Sequence, residues 1–336
     1  MDKKVMLLSI IKFVSLGIVI LLAYLFIGWP KTYPKQYGIT WSDPYARYLG
    51  IDPLKGLEAA LSELQVKHVR LPTYWTEGEK TRGIYNWSSV DAQLALIARY
   101  NGSVSLVVGA KQPRWPECWI PDWAKALSKE ERNQAQLEYV RKTVEHFKNN
   151  PIITRWQVEN EPEFFASFGD CEFYNKDLLK EEMKLIKQIP MERLITLSTT
   201  ASGELSTWIF EPKGLDIGFS VYRTVPNDLF KRLHYWFLPS WFYDRKIALR
   251  KFFRGGDMYV SEFQMEPWVK NDIRTASQEE TDLTLDLAQM KDNLIFAERL
   301  NVKEVDFWGV EWWYWMKTEK NQPEYWEEMK KAFSQK

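Results

Sequence analysis

From residue 37 to the C-terminus, short apolar runs alternate with stretches of helical period, and that alternation restricts the possible folds more than any other feature of the chain. The strand candidates are 37–41, 66–71, 104–109, 153–158, 194–197, 217–221, 258–261 and 305–308. Between them Leu54, Leu57, Leu61 and Leu64 recur at helical spacing, as do Val140, Val144 and Phe147, and again Leu283, Leu287, Met290 and Leu294. Ser128 with Glu131 and Ser277 with Glu280 form capping boxes that mark helix starts. Strand and helix alternating eight times within about 300 residues predict an α/β chain folded as a (β/α)8, or TIM, barrel. A doubly wound open sheet is the runner-up, but its first strand would run into a glycine-rich phosphate turn. Here that strand runs into Trp41-Ser42-Asp43-Pro44.

Residues 13–29 carry no charge, and the apolar character continues N-terminally past the single Lys12. A stretch of that length just crosses a hydrocarbon core, which needs about 17–25 residues. A cleaved leader would show a shorter apolar region and a small-x-small cleavage site. Ala23 is instead followed by Tyr24 and Leu25, and no such site precedes Pro30. The expectation is one N-terminal transmembrane helix, a single-pass signal anchor. Residues 1–29 are its cytoplasmic tip and span, 30–36 a linker, and 37–336 the barrel domain. A leader that is cut is the alternative. Lys3, Lys4 and Lys12 before the span, against Lys31, Lys35 and Arg47 after it, tip the N-terminus toward the cytoplasm and the barrel to the extracytoplasmic side.

Cys118 and Cys171 fall in loops expected on one face of the barrel. A disulfide suited to an oxidising compartment and two separate thiols are both open readings. Asn86-Trp87-Ser88 and Asn101-Gly102-Ser103 match the glycosylation acceptor pattern.

The 45 Lys and Arg balance 45 Asp and Glu, so the charge gives no reason to expect a nucleic-acid partner. The chain holds 17 Trp, 16 Tyr and 18 Phe, which suits either sugar-stacking platforms or an aromatic core. No HExxH, CxxC pair, histidine cluster or GxxxxGK[ST] occurs, so no metal and no other cofactor is expected.

In a barrel of this kind the chemistry lies at the C-terminal ends of the strands. The residues there are rich in carboxylates, amides, hydroxyls and indoles, and two glutamates stand out: Glu161 after the fourth strand and Glu262 after the seventh. Acetal cleavage with retention needs two such groups facing each other, one to attack the anomeric carbon and one to protonate the leaving oxygen. Their environments must then push the two pKa values apart. Arg70, ending the second strand, is a candidate to keep Glu262 charged, and Asn160 to bond a sugar 2-hydroxyl.

Trp156-Gln157-Val158-Glu159-Asn160-Glu161-Pro162 resembles the Asn-Glu-Pro motif of clan A retaining glycoside hydrolases. Tyr259-Val260-Ser261-Glu262-Phe263 is similar to their nucleophile strand, Val69-Arg70-Leu71-Pro72 to their arginine strand, and Phe307-Trp308 to their eighth-strand tryptophan. The resemblance implies that Glu161 is the general acid/base, Glu262 the nucleophile, and Tyr222 the hydroxyl beside it. The family 5 cellulases and mannanases place histidines after the third strand and two residues before the sixth-strand tyrosine. This chain has Gly109-Ala110-Lys111-Gln112 and Ser220 there, so clan, and not family or substrate, follows.

Trp41, Trp75, Trp115, Trp308 and Trp312 are candidate sugar platforms, with Tyr74, Trp119, Trp268, Trp313 and Trp315 in the same positions to stack or to pack loops. Glu159, Glu163, Glu266 and Glu311 read as rim or structural carboxylates. Lys111 and Arg114 read as salt-bridge partners or as contacts for an acidic sugar. Residues 227–254 interleave aromatic and basic side chains, which suits a membrane-interface helix or an aromatic lid. The expected function is a retaining β-glycosidase acting on an extracytoplasmic glycan, with the membrane as the only other partner. A tethered carbohydrate-binding protein without turnover and a transglycosylase are the alternatives.

Overall fold

The computed structural model describes residues 3–163, 169–204, 213–227 and 229–334. Ten strands are described: β1 (Gln36–Thr40), β2 (His68–Pro72), β3 (Ser103–Val108), β4 (Ile153–Val158), β5 (Thr196–Ser202), β6 (Asp216–Val221), β7 (Thr224–Asn227), β8 (Lys231–His234), β9 (Met258–Gln264) and β10 (Glu304–Trp308). Eight close a parallel barrel in the cyclic order β1, β2, β3, β4, β5, β6, β9, β10, and β7 pairs with β8 as an added antiparallel hairpin. The expected TIM-like barrel is therefore the observed one. The largest shift from the expected strands is at the fifth. It begins two residues later than its apolar pattern implied, because Leu194 is fully exposed, and it runs on through hydroxyl-bearing residues to Ser202.

The expected capping box closes around Ser128 and Glu131, each side chain meeting the other's backbone N–H, and it starts the helix Lys129–Phe147. At Ser277 only the serine half forms, accepting from the Glu280 N–H. Apolar side chains of the strands, among them Ile39, Val69, Val158, Val260 and Phe307, pack outward against the helices. The barrel interior is polar instead. His68 Nδ1 and Nε2 meet the Ser103 and Ser105 hydroxyls at 2.9 and 3.0 Å, and Arg155 ion-pairs with Glu304 while stacking 3.9 Å over Tyr259. Gly38 leaves the space that Asp306 occupies, since a Cβ there would collide with the Asp306 carboxylate.

The N-terminal helix Lys3–Phe26 contains an apolar stretch, Met6–Phe26, whose 21 residues rise about 31 Å, enough to cross a membrane. It begins earlier than the expected 13–29 because Lys12 does not interrupt the helix. Its last turn packs on the helix Ser240–Arg254, where Phe26 and Phe242 lie 5.3 Å apart. That second helix, which buries Phe242, Tyr243 and Ile247, is the barrel's own helix between β6 and β9. Of the aromatic segment 227–254, only the hairpin is therefore added to the barrel, and Asp228 within it lies outside the described residues.

Asp306 is fully buried, and neither of its oxygens has a hydrogen-bond partner among the described residues. Desolvation, then the charge of Glu304, pushes its pKa well above the usual value against the pull of Arg155 and Arg70. The unfolded carboxyl ionises near 4. Its burial therefore costs nothing below about pH 4, and the cost grows as pH rises toward the folded value. Asp306→Asn is expected to raise the melting temperature by a few degrees at pH 7 and to leave it unchanged near pH 4. Equal effects at both pH values in a thermal scan would refute this account.

Candidate active site

Arg70 organises the barrel mouth. Its fully buried guanidinium donates to Glu262 Oε1 and Asn160 Oδ1, each at 2.7 Å, to Gln157 Oε1 at 2.8 Å, and to the Ser261 carbonyl at 3.2 Å. Tyr222 Oη donates to the other Glu262 oxygen at 3.0 Å. Both Glu262 oxygens are thus met by donors, one of them cationic.

A β-bulge aims Glu262. Against β6, Val260 pairs with Phe219 and Glu262 with Ser220, which leaves Ser261 as an extra residue. Strict alternation from the inward Tyr259 would have turned Glu262 to the outside of the barrel. The bulge reverses its side.

Glu161 is fixed by three neighbouring strands. Its N–H donates to Thr200 Oγ1 at 2.8 Å, its carbonyl accepts from Lys111 Nζ at 2.9 Å, and its Oε1 accepts from Ser220 Oγ at 2.6 Å. Glu159 and Glu161 both take left-handed backbone conformations, with φ of 58° and 46°. Desolvation, and next the charge of Glu262, push the Glu161 carboxyl up to about 7, opposed by the Ser220 bond, Lys111 and Arg70.

The structure brings together Glu161, Glu262, Arg70, Asn160 and Tyr222, as the motifs suggested. Ser220, the serine standing where the family 5 enzymes carry histidine, bonds the carboxyl of Glu161. Gln157, Thr200 and Glu117 also belong to the group. Glu117 belongs to no motif, so nothing in the linear sequence marks it. It takes a left-handed φ of 68°, its stem packs against Gly169, and its carboxyl is close enough to Glu262, Lys111 and Glu161 to feel their charges. Desolvation, then Glu262, push its pKa well up. The next residue, Cys118, forms a disulfide with Cys171 that ties the loop after β3 to the loop after β4.

The tryptophans divide sharply. Trp115 is 68% exposed on the rim, whereas Trp308, at the end of β10, is buried with Arg114 stacked 4.0 Å from its ring. Trp41, Trp75 and Trp312 are at most 1% exposed, so none offers a ring face to a sugar, and their expected role as platforms is corrected. Trp41 fills the space left by Gly56 and donates to Asp43. Trp75 stacks on Tyr139 and donates to Glu79, and Trp312 packs on Tyr325. Tyr74, Trp313 and Trp315 are buried as well.

The remaining charged candidates are structural. Arg114 is sandwiched between Tyr45 and Trp308 and ion-pairs with Glu266 and Glu311. Glu311 also accepts from the Ser42 N–H at 2.6 Å, and burial pushes it up to about 7 against the pull of Arg114. Glu159 accepts from the N–H groups of Ala110 and Lys111 and from Gln136. Gly109, at φ 116°, makes room for its carboxylate. Lys111 Nζ donates to the Glu161 carbonyl, which fixes the ammonium beside the carboxylate pair.

His68, Glu304 and Asp306 are close enough together to hold a cation, but they lie inside the barrel, where Arg155, Ser103 and Ser105 already bond His68 and Glu304. A cavity of about 270 Å³ lies beside the mouth, between the loops after β1 and β2, lined by Arg47, Glu77 and Trp87 among others. It does not include the two glutamates.

The fold has known counterparts. A glycosylated endo-β-1,4-xylanase of glycoside hydrolase family 10 from Gloeophyllum trabeum superposes with a TM-score of 0.51 at 15% identity, covering 82% of this chain and 85% of that one. Xylanase 10B from Thermotoga petrophila, in complex with xylobiose, gives 0.50 at 14% identity over 84% and 87%. An intracellular xylanase from Thermoanaerobacterium saccharolyticum gives 0.50 at 15% over 82% and 86%. No family model matches the chain, and no curated protein matches it. The chain resembles the clan A glycoside hydrolases in its barrel.

Replacing Arg114 with Met leaves Glu266 and Glu311 buried without their cation. The expected loss is about 3–5 kcal/mol, read as a lower urea midpoint at an unchanged slope. A midpoint equal to wild type would show that the ion-pair cluster does not support the mouth.

Proposed function

We propose that this chain is a retaining β-glycosidase, with residues 37–336 as its hydrolase domain. The observation that carries the reading is the contrast between its two central carboxyl groups. Glu161 is pushed up to about 7, so it holds a proton near neutral pH, whereas both oxygens of Glu262 accept hydrogen bonds, one from the Arg70 guanidinium. That contrast is what double displacement at an acetal requires.

A Glu262 oxygen attacks the anomeric carbon while the bond to the leaving oxygen breaks, and Glu161 transfers its proton to that oxygen. Glu161, now ionised, takes a proton from water, whose oxygen attacks the same carbon and releases Glu262. Arg70 and Tyr222 position the nucleophile, Asn160 meets the sugar beside it, and Trp115 supplies an exposed ring face. The β configuration and the choice of a glycan as substrate come from the clan resemblance.

The same proposal places the barrel outside the cytoplasm, held to the membrane by the N-terminal helix. Lys3, Lys4 and Lys12 in the N-terminal half of that helix support the orientation, and the Cys118–Cys171 disulfide suits an oxidising compartment.

The test is a panel of aryl β-glycosides. Glu262→Ala is expected to abolish turnover and Glu161→Ala to lower it by about 10²–10⁴-fold. If both variants match wild type on every cleaved substrate, the mechanism is wrong. If no substrate is cleaved, a glycan array asks instead whether the chain only binds. For wild type, kcat/KM is expected to fall as pH rises through about 7, as Glu161 loses its proton. Ser220→Ala removes a bond to the ionised form, so that limb should move upward, by about one pH unit if the bond contributes about 1.5 kcal/mol. A limb that stays in place or moves down would assign it to another group.

A further inference from the structure

On the barrel helix Ser240–Arg254, Phe242, Tyr243, Ile247 and Arg250 face the core. Trp241, Arg245, Ala248 and Phe252, spaced four, three and four residues apart, form one outward stripe. The N-terminal helix meets the protein at the start of that stripe. Trp241 Nε1 donates to the Phe26 carbonyl at 3.1 Å, Arg245 lies 4.6 Å over the Tyr24 ring, and Gly28 admits the Trp241 indole, which a Cβ there would strike. From Met6 to Leu22 every side chain of the N-terminal helix is exposed, so a membrane around it would begin within a turn or two of this contact.

Large apolar side chains also lie bare on the segments that lead to and from this contact: the linker, the hairpin and the same helix. Trp29 is 79% exposed, Leu229 79%, Phe230 68%, Trp236 75%, Phe252 82% and Phe253 61%. A soluble surface rarely gathers so many. Residues 227–254 also hold seven Lys and Arg against Asp228 and Asp244, and Lys231, Arg232 and Lys251 are exposed among the aromatics. Exposed aromatic rings and basic groups on a hairpin and helix that join a helix long enough to span a membrane are the chemistry of an anionic bilayer interface.

We propose that this face docks on an anionic lipid surface, with the helix Ser240–Arg254 lying in the membrane plane and the tip of the β7–β8 hairpin in the headgroup layer. The proposal rests on the N-terminal helix being a membrane anchor. A lid is not available to this helix, because its inner face forms the barrel wall. The hairpin begins two residues after Tyr222, whose hydroxyl bonds Glu262, and its four-residue strands reach about 13 Å. Docking therefore holds the carboxylate pair about one hairpin length from the lipid.

The test uses the full chain in vesicles of phosphatidylcholine with phosphatidylserine, spin-labelled one position at a time. The sites are Val14→Cys in the anchor, Trp236→Cys and Phe252→Cys on the proposed face, and Ala95→Cys on the opposite wall. The native cysteines are paired in the disulfide and do not take the label. Labels at 14, 236 and 252 are expected to be more accessible to oxygen than to a nickel chelate, and the label at 95 the reverse. If the label at 14 reads lipid while those at 236 and 252 read water, docking is overturned and the anchor stands. If the label at 14 also reads water, the anchor has failed and the docking proposal with it. Omitting phosphatidylserine should reduce immersion at 236 and 252 but not at 14; unchanged immersion would overturn the anionic-lipid assignment.

Discussion

The structure depends on one buried cation. Arg70 stands inside the barrel with no exposed surface, and its guanidinium bonds β4 through Gln157, the turn after β4 through Asn160, and β9 through Glu262 and the Ser261 carbonyl. A charge so placed is costly unless every donor finds an acceptor. Meeting that demand draws the ends of three strands into one geometry. The planar fork of arginine can serve three directions at once, which a lysine ammonium cannot do with the same fixed angles.

The same constraint accounts for the unusual interior. Barrel cores of this type are commonly filled with branched apolar side chains. Here the interior carries Arg70, Arg155, His68, Glu304, Asp306 and several hydroxyls, with the apolar residues turned outward to the helices. Opposite charges are paired where they can be, and Asp306 is the exception that desolvation drives toward the neutral form. Glu161 obeys the same rule at the mouth, where desolvation and the charge of Glu262 push its carboxyl up to about 7. A second arginine, Arg114, repeats the device a layer out, neutralising Glu266 and Glu311 beneath the Trp308 ring.

Much of the fold and part of the site were legible in the linear chain. Alternating periods revealed the barrel, because each strand must bury an apolar face against a helix and that need is written locally. Glu161, Glu262, Arg70 and Tyr222 were legible because strand ends are predictable once the barrel is. The tryptophans were not, since a tryptophan just past a strand reads alike whether it faces a sugar or packs inward. Trp41 is buried because Gly56, on another element, leaves room for it, and Trp75 because Tyr139 stacks on it. Glu117 was illegible for a related reason: its loop is placed by Gly169 and the partner of Cys118, both about fifty residues away.

By itself the sequence determined the barrel, an apolar N-terminal helix of membrane-spanning length and the order of the chemical groups along the chain, since all three are set by period and composition over short range. Tertiary structure decided which way those groups point. The extra residue at Ser261 turns Glu262 inward, Ser220 reaches Glu161, Cys118 meets Cys171, and the N-terminal helix closes on Trp241. Each depends on register or contact between distant segments, and the energies that choose among registers come from burial and charge pairing that exist only once the chain has closed.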